Sequence, residues 1–124
     1  MPTVLIIEED SVTSAQFADI LTLAGYEIVA AHDLRSALDH LATQRVAVIL
    51  FDWQPPDASA VDGLRAIRAL GHCEHVPILV VTGNYFLDDT VPEQLERLKA
   101  DVRFKPIWAD ELVELIGHML GINR

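Results

Sequence analysis

Short apolar segments of strand length alternate along the chain with segments whose apolar residues recur at helical spacing. A continuous apolar run bounded by turn residues is typical of a strand that is covered on both faces, and such runs suit a parallel sheet. Five strands are predicted, over residues 3–7, 26–31, 46–51, 76–81 and 101–104.

Helical signals fill the intervals between these strands. Asp10 or Ser11 is placed to cap the first helix, and Gly25 is a usual residue for ending it. Asp33 is placed to cap the second helix, whose apolar residues share one face. The predicted helices cover residues 12–24, 34–43, 63–70, 92–98 and 109–120. Five βα units with right-handed crossovers predict an α/β protein with a three-layer α/β/α sandwich.

Polar side chains stand where four of the predicted strands end. Glu8 and Glu9 follow the first strand, Asp52 the third and Thr82 the fourth, while Lys105 follows the fifth. Because the carboxyl ends of parallel strands converge on one crevice, we expect these side chains to be neighbours. Clustered carboxylate oxygens suit a hard ion such as Mg²⁺. A phosphoryl group on Asp52 would need that ion, a hydroxyl and a positive charge around it.

Each of these residues also has a plainer interpretation when it is taken alone. The acidic run 8–10 could form a solvated turn in which Asp10 is only a cap, and Asp52 could be a simple loop acid. Thr82 suits any strand, and Lys105 suits any surface. The placement of all of them at one edge of one sheet favours a shared site over these separate explanations.

Composition narrows the function classes. With 124 residues, 51% of them hydrophobic, the chain is expected to form one domain with a sizeable core. A net charge of −10 argues against direct binding of nucleic acid, which depends on Lys and Arg. The single cysteine excludes an internal disulfide. No apolar stretch approaches the roughly 20 residues of a membrane helix, so a cytoplasmic protein without membrane insertion is expected.

Several motifs resemble, in order and spacing, the receiver domain of two-component response regulators. They are VLIIEED, LAGYEI, VAVILFDW, the DG of residues 62–63, PILVVTG and FKP. The resemblance covers essentially the whole chain. It implies a flavodoxin-like (βα)5 fold with strand order 2-1-3-4-5 and a single receiver domain over residues 1–124. Nothing in the sequence distinguishes a free-standing receiver from a segment of a longer protein.

The resemblance also implies a role for each residue at the strand ends. Asp52 would accept a phosphoryl group from a sensor histidine kinase or a phosphotransfer protein, and Thr82 and Lys105 would bind the phosphoryl oxygens. Mg²⁺ would be the cofactor, and its ligands would be Glu8, Glu9, Asp52 and the backbone carbonyl of Gln54. The domain would be a signalling module rather than an enzyme with a separate substrate, although it would hydrolyse its own aspartyl phosphate.

Three departures from the usual receiver pattern bear on these roles. Both acids of the pair are glutamates, and the extra methylene of Glu9 displaces its carboxylate by about an ångström, which is unfavourable for the strict geometry of Mg²⁺. Val102 stands where the family carries a switch aromatic. The segment from Asp52 to Gly63 is longer than usual, so the prolines within it are expected to reshape the rim where a kinase docks.

The resemblance implies an output face formed by the fourth helix, the fifth strand and the fifth helix, through which two copies can pair as a homodimer. Trp108, at the start of the fifth helix, is predicted to mark this face. The alternative is that its ring folds back onto the core. The Lys105–Pro106 peptide bond is expected to be cis, as the family motif implies.

Two other functions are compatible with parts of the pattern. A haloacid-dehalogenase-like phosphatase also uses an aspartate at a strand end, but it needs a second acid where this chain has Gln54. A degenerate receiver, which binds partners without phosphorylation, is favoured by the glutamate pair and by Val102. The intact Asp52, Thr82 and Lys105 oppose that alternative.

Overall fold

The computed structural model describes residues 1–53, 58–83 and 90–122, and within them it contains five strands and five α-helices. The strands are β1 (Thr3–Ile7), β2 (Glu27–Ala31), β3 (Val48–Asp52), β4 (Ile78–Thr82) and β5 (Ala100–Phe104). The helices are α1 (Ser11–Leu23), α2 (Leu34–Thr43), α3 (Ala58–Arg68), α4 (Thr90–Arg97) and α5 (Ala109–Met119). A 3₁₀ turn, Gly71–Cys73, precedes β4. None of the helices in these segments has the length and apolar character needed to cross a membrane.

The sheet has the strand order β2-β1-β3-β4-β5, as the resemblance implied. All of its strand pairings are parallel. Ile7 at the end of β1 lies beside Phe51 of β3, and Asp52 at the end of β3 lies beside Val81 of β4. This register aligns the carboxyl ends of the three central strands at one edge of the sheet.

Two apolar cores lie on opposite faces of the sheet, because successive side chains of a strand point to opposite sides. Leu5 and Ile49 belong to the core that α2, α3 and α4 cover. Ile6 and Leu50 belong to the core that α1 and α5 cover. The central strands are therefore buried on both faces, which explains their continuous apolar runs and confirms the predicted three-layer sandwich.

Side chains cap the first two helices at the positions that the sequence predicted. Asp10 Oδ2 accepts hydrogen bonds from the backbone N–H of Thr13 at 3.0 Å and from the Thr13 hydroxyl at 2.6 Å. Asp33 Oδ1 accepts one from the backbone N–H of Ser36 at 2.7 Å. Gly25 follows α1 with a φ of +100°, which glycine adopts without strain.

The predicted start of α3 at residue 63 is wrong, because the helix already begins at Ala58. Val61 extends the buried stripe of Leu64 by one turn toward the start of the chain. Gly63 lies inside the helix, and a Cβ atom there would be 2.8 Å from Leu34 Cδ2 of α2. The glycine therefore permits a close approach of two helices, whereas the sequence pattern suggested a helix boundary.

The expected long loop after Asp52 is correspondingly shorter, since residues 58–62 are helical. Residues 54–57, which include the two prolines and the Gln54 carbonyl, lie outside the described residues. β3 and β4 begin later than predicted and continue to Asp52 and Thr82. Asp52 and Thr82, two residues of the predicted site, thus belong to the sheet itself.

Candidate functional site

The carboxyl edge of the sheet brings three of the predicted site residues together. Glu8 continues from β1, and its backbone N–H donates to the Ala31 carbonyl at the end of β2 at 2.9 Å. Asp52 ends β3. Lys105 follows β5, and its backbone N–H donates to the Thr82 carbonyl at 2.8 Å. Because the strands are held in this register, Glu8, Asp52 and Lys105 line one crevice.

Asp52 and Lys105 form an ion pair inside the crevice. The Lys105 Nζ atom lies 2.7 Å from Asp52 Oδ2, and the Asp52 side chain is only 1% exposed. The ammonium offsets part of the cost of burying the carboxylate. The Lys105–Pro106 peptide bond that follows β5 is cis, as predicted.

Glu8 is the second buried acid of the crevice. Burial is the main cause that raises the pKa of its carboxyl to about 7, followed by a hydrogen bond with Asp52 and by the negative charge of Asp52. The Lys105 ammonium acts in the opposite direction on the Glu8 pKa. Near neutral pH, a proton on Glu8 therefore removes its negative charge and relieves the repulsion between the two carboxyls.

The oxygens of Glu8 and Asp52 fit a hard cation. With both carboxyls ionised, neither Asp52 oxygen has a hydrogen-bond partner among the described residues, and Oδ2 is held by the ion pair with Lys105. A divalent cation beside Oδ1 would supply the missing partner and reduce the repulsion that raises the Glu8 pKa. Carboxylate oxygen is the ligand type that Mg²⁺ prefers.

Glu9 lies on the exposed wall of the same crevice, which has a volume of about 500 Å³. The residues that line it are Glu8, Glu9, Asp10, Thr13, Asp52 and Lys105. In the part of the chain that the structure describes, no three His, Cys, Asp or Glu side chains are gathered closely enough to hold a metal ion. Glu9 thus borders the crevice without joining Glu8 and Asp52 in one ligand cluster.

Two residues of the crevice wall were not assigned to the site from the sequence. Asp10 was interpreted only as a helix cap, and Thr13 was not considered. The signal that could have found them is the position of Thr13, three residues after a cap that itself follows a strand end. Thr82 differs from both, because it is fully buried and is not among the described residues that line the crevice.

Trp108 stands apart from the crevice, at the N-terminus of α5. Its side chain is highly exposed, with a relative exposure of 68% for the residue, so the alternative that the ring folds back onto the core is wrong. Its backbone N–H donates to Glu111 Oε1 at 3.3 Å, which anchors the first turn of α5. Val102 packs against the core, and Phe104 is partly exposed beside α4. Phe104 on β5 and Trp108 at the start of α5 are therefore the exposed aromatic residues of the described part of this face.

Sequence comparisons place this architecture in a known group. The family model described as "Response regulator receiver domain" matches residues 4–117. The chain is 31% identical over 119 residues to the response regulator protein FleR of Pseudomonas aeruginosa, covering 95% of this chain and 24% of that protein. It is 26% identical over 119 residues to the polar-differentiation response regulator DivK of Brucella anthropi, covering 96% of each. The chain thus spans about a quarter of FleR and nearly all of DivK.

Solved structures give the same result for the fold. The chemotaxis response regulator CheY4 of Vibrio cholerae superimposes with a TM-score of 0.84 at 24% identity, covering 97% of this chain and 99% of that one. The receiver domain of the sensor histidine kinase PA1611 of Pseudomonas aeruginosa has a TM-score of 0.81 at 25% identity, covering 97% of this chain and 98% of that one. That structure was determined with a magnesium ion coordinated in its active-site cleft.

Proposed function

The chain belongs to the response regulator receiver domain family, and from this premise we propose that Asp52 accepts a phosphoryl group from the phosphohistidine of a sensor kinase or a phosphotransfer protein. One observation carries the proposal: a carboxylate at the end of a central strand is buried in an acidic crevice, 2.7 Å from a lysine ammonium. A buried charge with incomplete hydrogen bonding is costly, which favours a functional over a structural role.

The reaction would be a direct transfer between two side chains. A carboxylate oxygen of Asp52 attacks the phosphorus, a P–O bond forms as the P–N bond to histidine breaks, and the departing imidazole takes up a proton. The product is an acyl phosphate. Attack by water then regenerates the Asp52 carboxylate and releases inorganic phosphate, so the domain resets itself.

Lys105 and Thr82 are the proposed partners of the phosphoryl oxygens. Lys105 already lies against Asp52, so its ammonium can pair with a phosphoryl group attached there. Thr82 is on the neighbouring strand and fully buried, so its role requires the end of β4 to move toward the crevice. Such a movement is a local event that can bias a distant surface.

Mg²⁺ is the proposed cofactor, with Glu8, Glu9, Asp52 and the backbone carbonyl of Gln54 as its ligands. When bound, it would neutralise negative charge on the transferred phosphoryl group. Glu8 and Asp52 support this assignment through their buried oxygens. Glu9 would have to turn inward from the exposed wall to complete the set.

We further propose that phosphorylation is read out on the surface of α4, β5 and the start of α5, where Trp108 is the exposed anchor. Large aromatic residues are common at the centres of protein interfaces. The Trp108 side chain is exposed, so a partner can cover it. Two copies would pair through this surface. The chain would form a single receiver domain that acts in the cytoplasm. It would not contact nucleic acid itself. Trp108→Ala should abolish pairing of the phosphorylated form in sedimentation, while leaving phosphorylation of Asp52 unchanged.

The decisive experiment is intact mass spectrometry after exposure to acetyl phosphate and Mg²⁺. We expect the mass of one phosphoryl group to be added to the wild type and to the Asp39→Asn control, which removes an exposed acid of α2. Asp52→Asn should add none. An unchanged wild-type mass at saturating donor would favour the alternative of a phosphorylation-independent interaction module.

A further inference from the structure

Within the described residues, the layer formed by α1 and α5 contains no Lys or Arg side chain. The sequence has nine Lys and Arg residues, and none of them lies in residues 1–34 or 106–123. Those two stretches include β1, α1, β2 and α5. Apart from histidine, the layer of α1 and α5 therefore carries only acidic charged side chains, with Asp19 on α1 and Asp110, Glu111 and Glu114 on α5.

An open groove of about 820 Å³ runs between α1 and α5 on this acidic layer. Its apolar lining includes Ile20, Leu23 and Ile122, and its polar lining includes Asp110 and Glu114. Leu23 is 90% exposed and Ile122 is 53% exposed, although both are large apolar residues. Exposed apolar side chains that cluster beside a polar rim are typical of a protein interaction site.

We propose that the α1–α5 groove docks an amphipathic helix of a partner protein, whose apolar side chains are flanked by Lys or Arg. A groove between two helices accepts a third helix by the usual packing of ridges into grooves. The apolar face of the partner would cover Leu23 and Ile122. Its basic residues would lie against the acidic rim that Asp110 and Glu114 form.

A second copy of this chain is a poor occupant for the groove. In the described ranges, the Lys and Arg residues lie on the other layer and on or beside β5. The large apolar residues exposed in the same ranges are Met1, Val12, Leu23, Phe104, Trp108 and Ile122. None of these belongs to α2, α3 or α4. Within the described residues, no helix of a second copy offers an exposed apolar stripe together with basic side chains, so the complementary helix is expected on a different protein.

The groove is separate from the Asp52 crevice, since none of the described residues lines both. Docking there leaves Asp52 open to a kinase. The inference therefore does not depend on phosphorylation, and Asp52→Asn should bind the helix as well as the wild type does.

The probe for this surface is a fluorescent peptide of Leu and Lys, about five helical turns long, with leucine at helical spacing. A peptide of the same composition, scrambled so that no apolar face forms, is its control. Binding is followed by fluorescence anisotropy at low and high salt. We expect the amphipathic peptide to bind at least tenfold more tightly than the scrambled one. The electrostatic part of its affinity should weaken at high salt.

Two matched pairs of variants locate the binding site. Leu23→Ser should weaken binding about tenfold, whereas Val12→Ser, an exposed apolar residue of the same helix outside the groove, should not. Glu114→Lys should weaken binding about fivefold, whereas Asp39→Lys makes the same change in net charge on the opposite layer and should have little effect. Thermal melts establish that each variant is folded.

Several outcomes would overturn the proposal. Equal losses in both members of a pair would mean that the peptide responds only to overall charge or hydrophobicity. Equal binding of the scrambled peptide would mean that no apolar face is recognised. Sedimentation that detects a wild-type dimer, dissociated by Leu23→Ser without any peptide, would assign the groove to a second copy.

Discussion

The half-buried Arg68 and the buried Asp52, at opposite edges of the same sheet, differ in how their charges are satisfied. At the amino edge, the Arg68 guanidinium donates to the carbonyls of Leu98 at 2.9 Å and Cys73 at 3.0 Å, and also to the carbonyls of Val76 and Lys99. At the carboxyl edge, the Asp52 carboxylate has an ion pair with Lys105, but among the described residues it has no hydrogen-bond partner when Glu8 is also ionised.

The difference distinguishes a structural charge from a charge for which we propose a function. Arg68 joins the end of α3 to the segments that precede β4 and β5, and each carbonyl it contacts is neutral. Burial lowers the pKa of the Arg68 guanidinium, but its hydrogen bonds to carbonyls replace many of the hydrogen bonds to water that burial removes. With Glu8 ionised, Asp52 has no such neutral partner among the described residues, so its oxygens are available to the cation and the phosphoryl group that we propose.

The largest effect on stability is expected at Arg68, whose charge is satisfied by hydrogen bonds to carbonyls. Arg68→Met should lower the free energy of unfolding by about 3 kcal/mol, because it leaves several carbonyls at the amino edge without a donor. Denaturant titration measures this loss. Arg65→Met is the control, since Arg65 forms an exposed ion pair with Asp62 and should change the value by less than about 0.5 kcal/mol. Similar values for the two variants would contradict the structural role.

A smaller, pH-dependent effect on stability is expected from Glu8, which lies beside Asp52. Because the folded-state pKa of Glu8 is raised to about 7, its contribution to stability is fully present below its ordinary pKa of 4.5 and is lost as the pH rises through 7. A full shift of this size corresponds to about 3 kcal/mol, and water in the crevice reduces the expected loss to about 1–2 kcal/mol.

The measurement compares wild type with Glu8→Gln, which stays neutral at every pH. In metal-free buffer, the variant should gain stability relative to the wild type between pH 5 and pH 8. Glu9→Gln, which removes the charge of the neighbouring exposed acid, is the control for the loss of one carboxylate. A difference between wild type and Glu8→Gln that stays constant with pH would mean that the crevice does not penalise the Glu8 charge.

The smallest effect concerns the metal. Mg²⁺ titration should change the fluorescence of Trp53, which is buried next to Asp52, and Glu8→Gln should weaken the apparent affinity about tenfold by removing one charged ligand. Glu9→Asp should tighten it about threefold, because a shorter side chain suits the geometry of the ion. The measurements are made in Trp108→Phe, which removes the signal of the other tryptophan. Weaker binding in Glu9→Asp would indicate surroundings adapted to glutamate.

Much of the fold was predictable because apolar periodicity is a local property of the sequence. The strands of the central sheet have continuous apolar runs, and the caps Asp10 and Asp33 begin helices where expected. The acids at the strand ends could also be placed, since parallel strands bring their carboxyl ends to one edge. Gly63 was misinterpreted because its close approach to Leu34 involves a different helix.

The sequence by itself determined which segments form strands and helices, and it placed Glu8, Asp52 and Lys105 at strand ends. Only the tertiary structure decided which polar side chains are buried and which partners they have. Arg65 and Arg68 are both basic residues near the end of α3, yet one is paired at the surface and the other binds carbonyls of distant segments. The physical reason is that burial and hydrogen bonding depend on chain segments far apart in sequence, whereas local periodicity records only which face of an element is apolar.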